Sequence, residues 1–160
     1  VQDKRSELYR ICLQEVIMAK IRCILIDPSK QKVEEIFLDS ENMLQEWYKT
    51  IGNNCNLVTN VVYMHWMNIA NGLLADEEIL NRQEDIEGMF ELLVGNQVFV
   101  IVNKAIIVGN NQADGSCVDC TFPVSYIENQ ISWRTKEDAL IYAKQVTTPN
   151  SDVIWWQDNL

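Results

Sequence analysis

Residues 21–52, IRCILIDPSKQKVEEIFLDSENMLQEWYKTIG, carry most of the information about the fold. The run Ile21-Arg22-Cys23-Ile24-Leu25-Ile26 is rich in β-branched and other large apolar residues and reads as a buried strand. Asp27-Pro28-Ser29-Lys30 ends it, because proline cannot donate to a ladder and Asp and Ser favour turns. Lys32 to Leu38 reads as a second strand, so the two form a hairpin. Ser40 is a candidate N-cap for the helix that follows. Met43, Leu44, Trp47, Tyr48 and Ile51 fall on one apolar stripe, and Gly52 is the expected stop.

Working outward, residues 4–17 have the spacing of a helix, with Leu8, Ile11 and Cys12 able to share a face. Met18 opens MAKIRCILID, which reads as a natural start, so residues 1–17 are set apart as an N-terminal helical extension to an α+β domain at 18–160. Asn53 to Asn56 read as a loop and Leu57 to Met64 as a third strand. Trp66 to Ala70 is a candidate fourth strand, and Asn71-Gly72 carries the preferred composition of a hairpin turn. Residues 76–91 read as an acidic loop or a short helix. Gln97 to Val102 and Lys104 to Val108 are the most strand-like runs in the chain. A polar turn follows at residues 109–115, Val124 to Trp133 is ambiguous, and Thr135 caps a final helix from Lys136 to Val146. The tail carries Trp155-Trp156. This order of elements predicts an α+β fold: a mixed or antiparallel sheet with helices packed on one face.

The chain has 160 residues and is 48% apolar, enough for a core without a disulfide or metal staple. Its net charge is −10. That disfavours direct nucleic-acid binding, which needs Lys and Arg against phosphate, and favours a partner with a basic surface or plain solubility. No apolar run approaches the ~20 residues that span a bilayer, so no membrane helix is expected. The first residues lack the apolar core of a secretory signal, and five cysteines at irregular spacing read as reduced thiols of a cytoplasmic protein.

The acids are unevenly placed. Between Thr50 and Asn103 the one base is Arg82, against Asp76, Glu77, Glu78, Glu84, Asp85, Glu87 and Glu91. These seven form the candidate partner-binding set. An isolated buried carboxylate is costly and Arg82 can neutralise a neighbour or two, so the carboxylates are expected at the surface, with Ile79, Ile86, Met89 and Phe90 packed inward.

Other constellations favour structural readings. Cys117-Val118-Asp119-Cys120 is a C-x-x-C. A zinc site needs a second ligand pair, and Cys55 with His65 has no suitable spacing. A redox pair wants its first Cys at a helix N-terminus, whereas Thr121-Phe122-Pro123 reads as extended. His65, the one histidine, lies at a strand end and reads as a core or edge residue. An enzyme would have to pair it with Asp27 or Asp119. No nucleophile elbow, P-loop or paired-His motif is present, and the acidic runs do not fit an EF-hand loop. No catalytic residue, metal or cofactor is therefore expected. Trp47, Tyr48, Tyr63 and Trp66 are candidates for a ligand pocket, and polar turns such as Gly109-Asn110-Asn111 suit a small ligand. Packing remains their default role.

Several short motifs resemble a family of small phage- and plasmid-borne proteins of unknown function, numbered thirty-eight forty-six among the catalogued domains of unknown function. They are Leu25-Ile26-Asp27-Pro28 followed by Lys32-Val33-Glu34-Glu35-Ile36, the helix ending at Ile51-Gly52, and the strand Leu57 to Met64. To these are added Ile69-Ala70-Asn71-Gly72-Leu73, Lys104-Ala105-Ile106-Ile107-Val108-Gly109, Asp114-Gly115 and Val118-Asp119. The likeness runs from about Lys20 to Trp133. It departs from the family at residues 76–91, which lack a proline-rich stretch, and at Cys117 and Cys120. The resemblance implies a compact α+β fold and a mobile-element origin, and it implies no catalytic residues. With the acidic charge it leads to the expectation of an accessory protein that blocks a host component. The alternative is a small-ligand or nucleotide-sequestering protein.

Overall fold

A computed structural model describes residues 20–147; the helix expected at 4–17 and the Trp155-Trp156 tail lie outside the described residues. The hairpin of residues 21–38 forms as anticipated, from β1 (Lys20–Asp27) and β2 (Lys32–Asp39) in antiparallel register. After α1 (Met43–Ile51) come β3 (Val58–Trp66), β4 (Ile69–Asp76), β5 (Met89–Val94), β6 (Gln97–Val102), β7 (Ala105–Asn110) and β8 (Cys117–Val118). The described chain ends with α2 (Val124–Asn129), β9 (Ile131–Arg134) and α3 (Lys136–Thr147). The fold is α+β.

Every strand pairing is antiparallel. The larger sheet has the order β2-β1-β7-β4-β3, with β8 paired to β7, and the smaller has the order β6-β5-β9. β1 and β7 are near-continuous apolar runs because they are central and covered on both faces. On one face Ile24, Ile26, Leu73 and Ile107 meet Phe90, Leu92 and Ile101 of the smaller sheet, together with Ile127 of α2. On the other, Cys23, Leu25, Ile106 and Val108 meet Met43 and Ile51 of α1. Ala139 and Ala143 of α3 close a third cluster with Ile79, Ile86, Met89 and Val102. Full burial of each large apolar side chain contributes about 1.5–3 kcal/mol.

This layering corrects the expectation of helices on one face. The three helices feed three different apolar clusters: α1 and α3 cover the outer face of one sheet each, and α2 adds Ile127 to the core between them. Other local expectations also shift. Ser40 is not the cap: the Asp39 carboxylate accepts from Glu41 N–H at 2.9 Å and starts a one-turn 3-10 segment, Ser40–Asn42, ahead of α1. Gly52 does end α1, at φ +63°. Thr135 does cap α3, its Oγ1 accepting from Asp138 N–H at 3.0 Å while its own N–H donates to Asp138 at 3.2 Å.

The β3–β4 turn falls at Met67-Asn68, with φ of 52° and 64°, not at Asn71-Gly72. Asn71 is instead fully buried inside β4. Its Nδ2 donates to Met64 O, Ile69 O and Thr121 Oγ1, and its Oδ1 accepts from Thr121 N–H at 3.0 Å. It thus ties the chain near residue 121 to the end of the larger sheet. Beside it, residues 117–120 enter between the diverging ends of β1 and β7. Val118 pairs with Gly109, and Cys120 N–H donates to Arg22 O at 2.8 Å. A Cβ on Gly109 would lie 2.3 Å from Asp119 O, so glycine is what admits this segment.

Candidate functional site

The acidic segment is neither a plain loop nor an α-helix. It is two one-turn 3-10 segments, Ile79–Asn81 and Gln83–Asp85, followed by β5. Ile79, Ile86, Met89 and Phe90 are buried, as their spacing predicts. The seven carboxylates divide. Glu77, Glu78, Glu84 and Glu87 are exposed and have no ion-pair partner among the described residues. Glu91 is partly covered and paired with Arg134 at 3.3 Å. Asp85 is paired with Arg82 at 3.1 Å and also accepts from Asn54.

Asp76 departs furthest from expectation, since its side chain is only 1% exposed. Its burial is compensated locally. One oxygen accepts from Arg82 Nη2 and the other from Glu78 N–H at 2.9 Å. Arg82 also donates to Asn53 O at 3.0 Å, so a single guanidinium joins the loop after α1, the end of β4 and the second 3-10 turn. The two flanking carboxylates hold Arg82 above the ordinary arginine range. Asn103, at φ +68°, fixes the other end of the segment: its amide donates to Asp85 O at 2.9 Å and accepts from Glu87 N–H at 2.7 Å. Asp76, Asp85 and Glu91 are therefore structural, and the surface-facing set is Glu77, Glu78, Glu84 and Glu87.

Two clefts open along β3. The larger, about 280 Å³, is bounded by Tyr63, Met64 and His65, by the end of β5 from Leu92 to Gly95, and by Phe122 and Tyr126. Phe122 and Tyr126 stack at 5.4 Å with 10° between ring planes, and Trp66 packs on both. The smaller, about 120 Å³, lies between Thr59 and Val61 of β3, Val100 to Val102 of β6, and Tyr142 of α3, with Glu77 at its margin. Of the four aromatic candidates, Trp47 and Tyr48 pack under α1 against the larger sheet. Tyr63 borders the larger cleft and Trp66 packs against two of its walls.

His65 is an exposed residue of the edge strand. Register separates it from Asp27: His65 aligns through Ala70 with Asn110, whereas Ile26, next to Asp27, aligns with Ala105. The five intervening residues correspond to about 17 Å along the strands. Asp119 is engaged with Arg22 N–H at 2.8 Å.

The C-x-x-C thiols lie on opposite faces of the larger sheet, Cys120 in the inter-sheet core and Cys117 against the α1 side. The extended backbone between them separates the thiols. Among the described residues, no group of three Cys, His, Asp or Glu side chains is arranged to hold a metal. Burial pushes Cys23 up to about 12, with Cys120 and Cys117 adding to the effect, and burial also raises Cys55, Cys117 and Cys120. These are packed, weakly nucleophilic thiols.

No helix among the described residues is long and apolar enough to cross a membrane. The clefts escaped sequence reasoning because their walls come from segments up to about 80 residues apart, with no shared local pattern. No family model, curated protein or solved structure matches the chain.

Proposed function

We propose that the chain is a non-catalytic accessory protein of a phage or mobile element that binds and blocks a host component, in the host cytoplasm, through an acidic surface. The observation that carries this reading is the set Glu77, Glu78, Glu84 and Glu87, exposed and free of described ion-pair partners on a chain of net charge −10. Carboxylates held this way attract a basic surface, including a groove on a defence nuclease that otherwise receives nucleic-acid phosphates. The anchoring of the segment by Arg82 and Asn103 favours binding, because a backbone fixed in advance loses less entropy on association. The short-motif resemblance supports a mobile-element origin.

The test is a host-lysate pull-down with the wild-type chain and with the Glu77→Lys, Glu78→Lys, Glu84→Lys, Glu87→Lys variant. A specific partner retained at low salt, released at high salt and lost by the variant is expected. A partner indifferent to both changes refutes the reading.

The larger cleft favours a second reading, a binder of a small planar ligand, because its wall includes Tyr63, Phe122 and Tyr126. Among the described residues that wall holds no Lys or Arg, which disfavours phosphate-bearing nucleotides and favours uncharged bases or nucleosides. A thermal-shift screen separates the readings: a ligand at about a hundredfold excess over Kd adds ~2.7 kcal/mol of stability.

A further inference from the structure

The two clefts, the edge of the larger sheet and the exposed carboxylates meet along one strand. β3 is the terminal strand of its sheet and pairs with β4 alone among the described residues. Its sequence, VTNVVYMHW, contains no Lys, Arg, Asp, Glu or Pro. Charges, prolines and bulges are the usual means by which an edge is closed to another strand, and β3 has the last of these alone. The opposite edge, β2, has such protection in Lys32, Glu34, Glu35 and Asp39. The one irregularity in β3 is a register shift between Asn60 and Val62.

Both clefts lie between β3 and elements of the smaller sheet. The smaller cleft takes its β3 wall from Thr59 and Val61, and the larger takes its wall from Tyr63 to His65. The second cleft follows the first along β3, and the register shift at Asn60/Val62 lets β4 span Asn60 to Met64 with three residues, Leu74 to Asn71, or ~10 Å. One extended segment running along this edge reaches both clefts. The chemistry of the clefts differs. Glu77, whose N–H is bonded to Leu57 O just before β3, borders the smaller one, where Leu80 and Tyr142 offer an apolar wall for a long aliphatic stem. The larger is apolar and aromatic at Met64, Leu92 and Tyr126.

We infer that the open edge of β3 receives an extended basic segment of the partner as an added strand. A Lys or Arg occupies the cleft beside Glu77, and a large apolar residue further along the segment occupies the cleft beside Tyr126. This rests on the acidic-surface reading and supplies it with a docking geometry. Charge complementarity selects a basic segment, the charge-free and proline-free strand supplies backbone hydrogen bonds, and the second cleft adds an apolar contact.

The test uses the full chain and nine-residue Ser/Thr peptides carrying one Arg and one Leu three or four positions apart. Binding is followed by fluorescence anisotropy, and backbone protection by hydrogen exchange. Three results are expected for the tighter-binding peptide: slowed exchange confined to amides between Val58 and Trp66; weakening of about tenfold or more with Glu77→Lys/Glu78→Lys, and again with Leu93→Lys; and similar weakening when the Leu is replaced by Ser. Leu93 is 44% exposed, so its replacement leaves the core intact. Binding that is lost on charge reversal but brings no protection of β3 overturns the added strand and leaves the acidic reading standing. Binding indifferent to charge reversal removes both. Amides of β3 that are fully protected before peptide is added, and unchanged after, show the edge closed by another part of the chain and overturn the inference.

Discussion

Replacing Arg82 by Met probes the least expected feature of the acidic segment. In the native chain the guanidinium spans Asp76, Asp85 and Asn53 O, and the Asp76 side chain is only 1% exposed. Arg82→Met leaves that carboxylate facing the protein interior with Glu78 N–H as its main remaining donor. Removing one partner of a buried pair costs about 3–5 kcal/mol. The Arg82 side chain is 20% exposed, so some water can reach the site, and the lower end, about 3 kcal/mol, is expected. Urea unfolding is the assay: with m near 2 kcal/mol/M, the midpoint falls by about 1.5 M at unchanged m. The double variant Arg82→Met, Asp76→Leu removes the orphaned charge and should recover most of the loss, because a buried pair replaced by apolar groups is close to neutral. A loss under about 1 kcal/mol for the single variant, or no recovery in the double, would show that Asp76 is hydrated and that the pairing argument is wrong.

Three further outcomes follow from the same contacts. Gly109→Ala sets a Cβ 2.3 Å from Asp119 O and 2.8 Å from Val118 O, both backbone atoms, so thermal unfolding should report a loss of about 1–3 kcal/mol, whereas Gly95→Ala meets no close atom and is strained only by its positive φ. Asn71→Leu strands Thr121 N–H and the carbonyls of Met64 and Ile69, and should lose about 2–4 kcal/mol in urea with faster exchange near residues 117–121. Cys23 is raised in the folded state, so the unfolded chain loses its proton first; the contribution of this thiol should be constant below about pH 8.5 and fall above it, by up to ~1.4 kcal/mol per pH unit, until about pH 12. Cys55, Cys117 and Cys120 add to the same alkaline loss, so Cys23→Val should make the slope shallower without abolishing it, and an equal slope in the variant would reject the assignment.

The parts of the fold legible in the sequence are those set by neighbours along the chain. The β1–β2 hairpin is written in IRCILI, Pro28 and KVEEIFL, and Gly52 stops α1 because its positive φ suits glycine. The cap moved by one residue because Asp39 and Ser40 are both capable caps, and local sequence does not choose between them. Asn71-Gly72 misled for a different reason. Its turn preference is local, but Asn71 is held by Thr121, fifty residues away, and the left-handed turn passes to Met67-Asn68. β5 was hidden because Ile79, Ile86, Met89 and Phe90 keep loose helical spacing, while MFELLV becomes a strand by pairing on both sides with β6 and β9. For the candidate site, the excess of acid was readable but its division was not. Which carboxylate Arg82 reaches depends on two 3-10 turns that fold it back over Asp76.

If Glu77, Glu78, Glu84 and Glu87 bind a basic partner, affinity for the purified captured partner depends on salt through these four side chains. Titrations from about 0.05 M to about 0.5 M salt take the Debye length from ~14 Å to ~4 Å, which screens exposed charges. Kd should rise steeply with salt for the wild-type chain, and much less when the four glutamates are replaced by glutamine. A Kd that does not change with salt, or a slope that is the same in both proteins, would contradict binding through these glutamates.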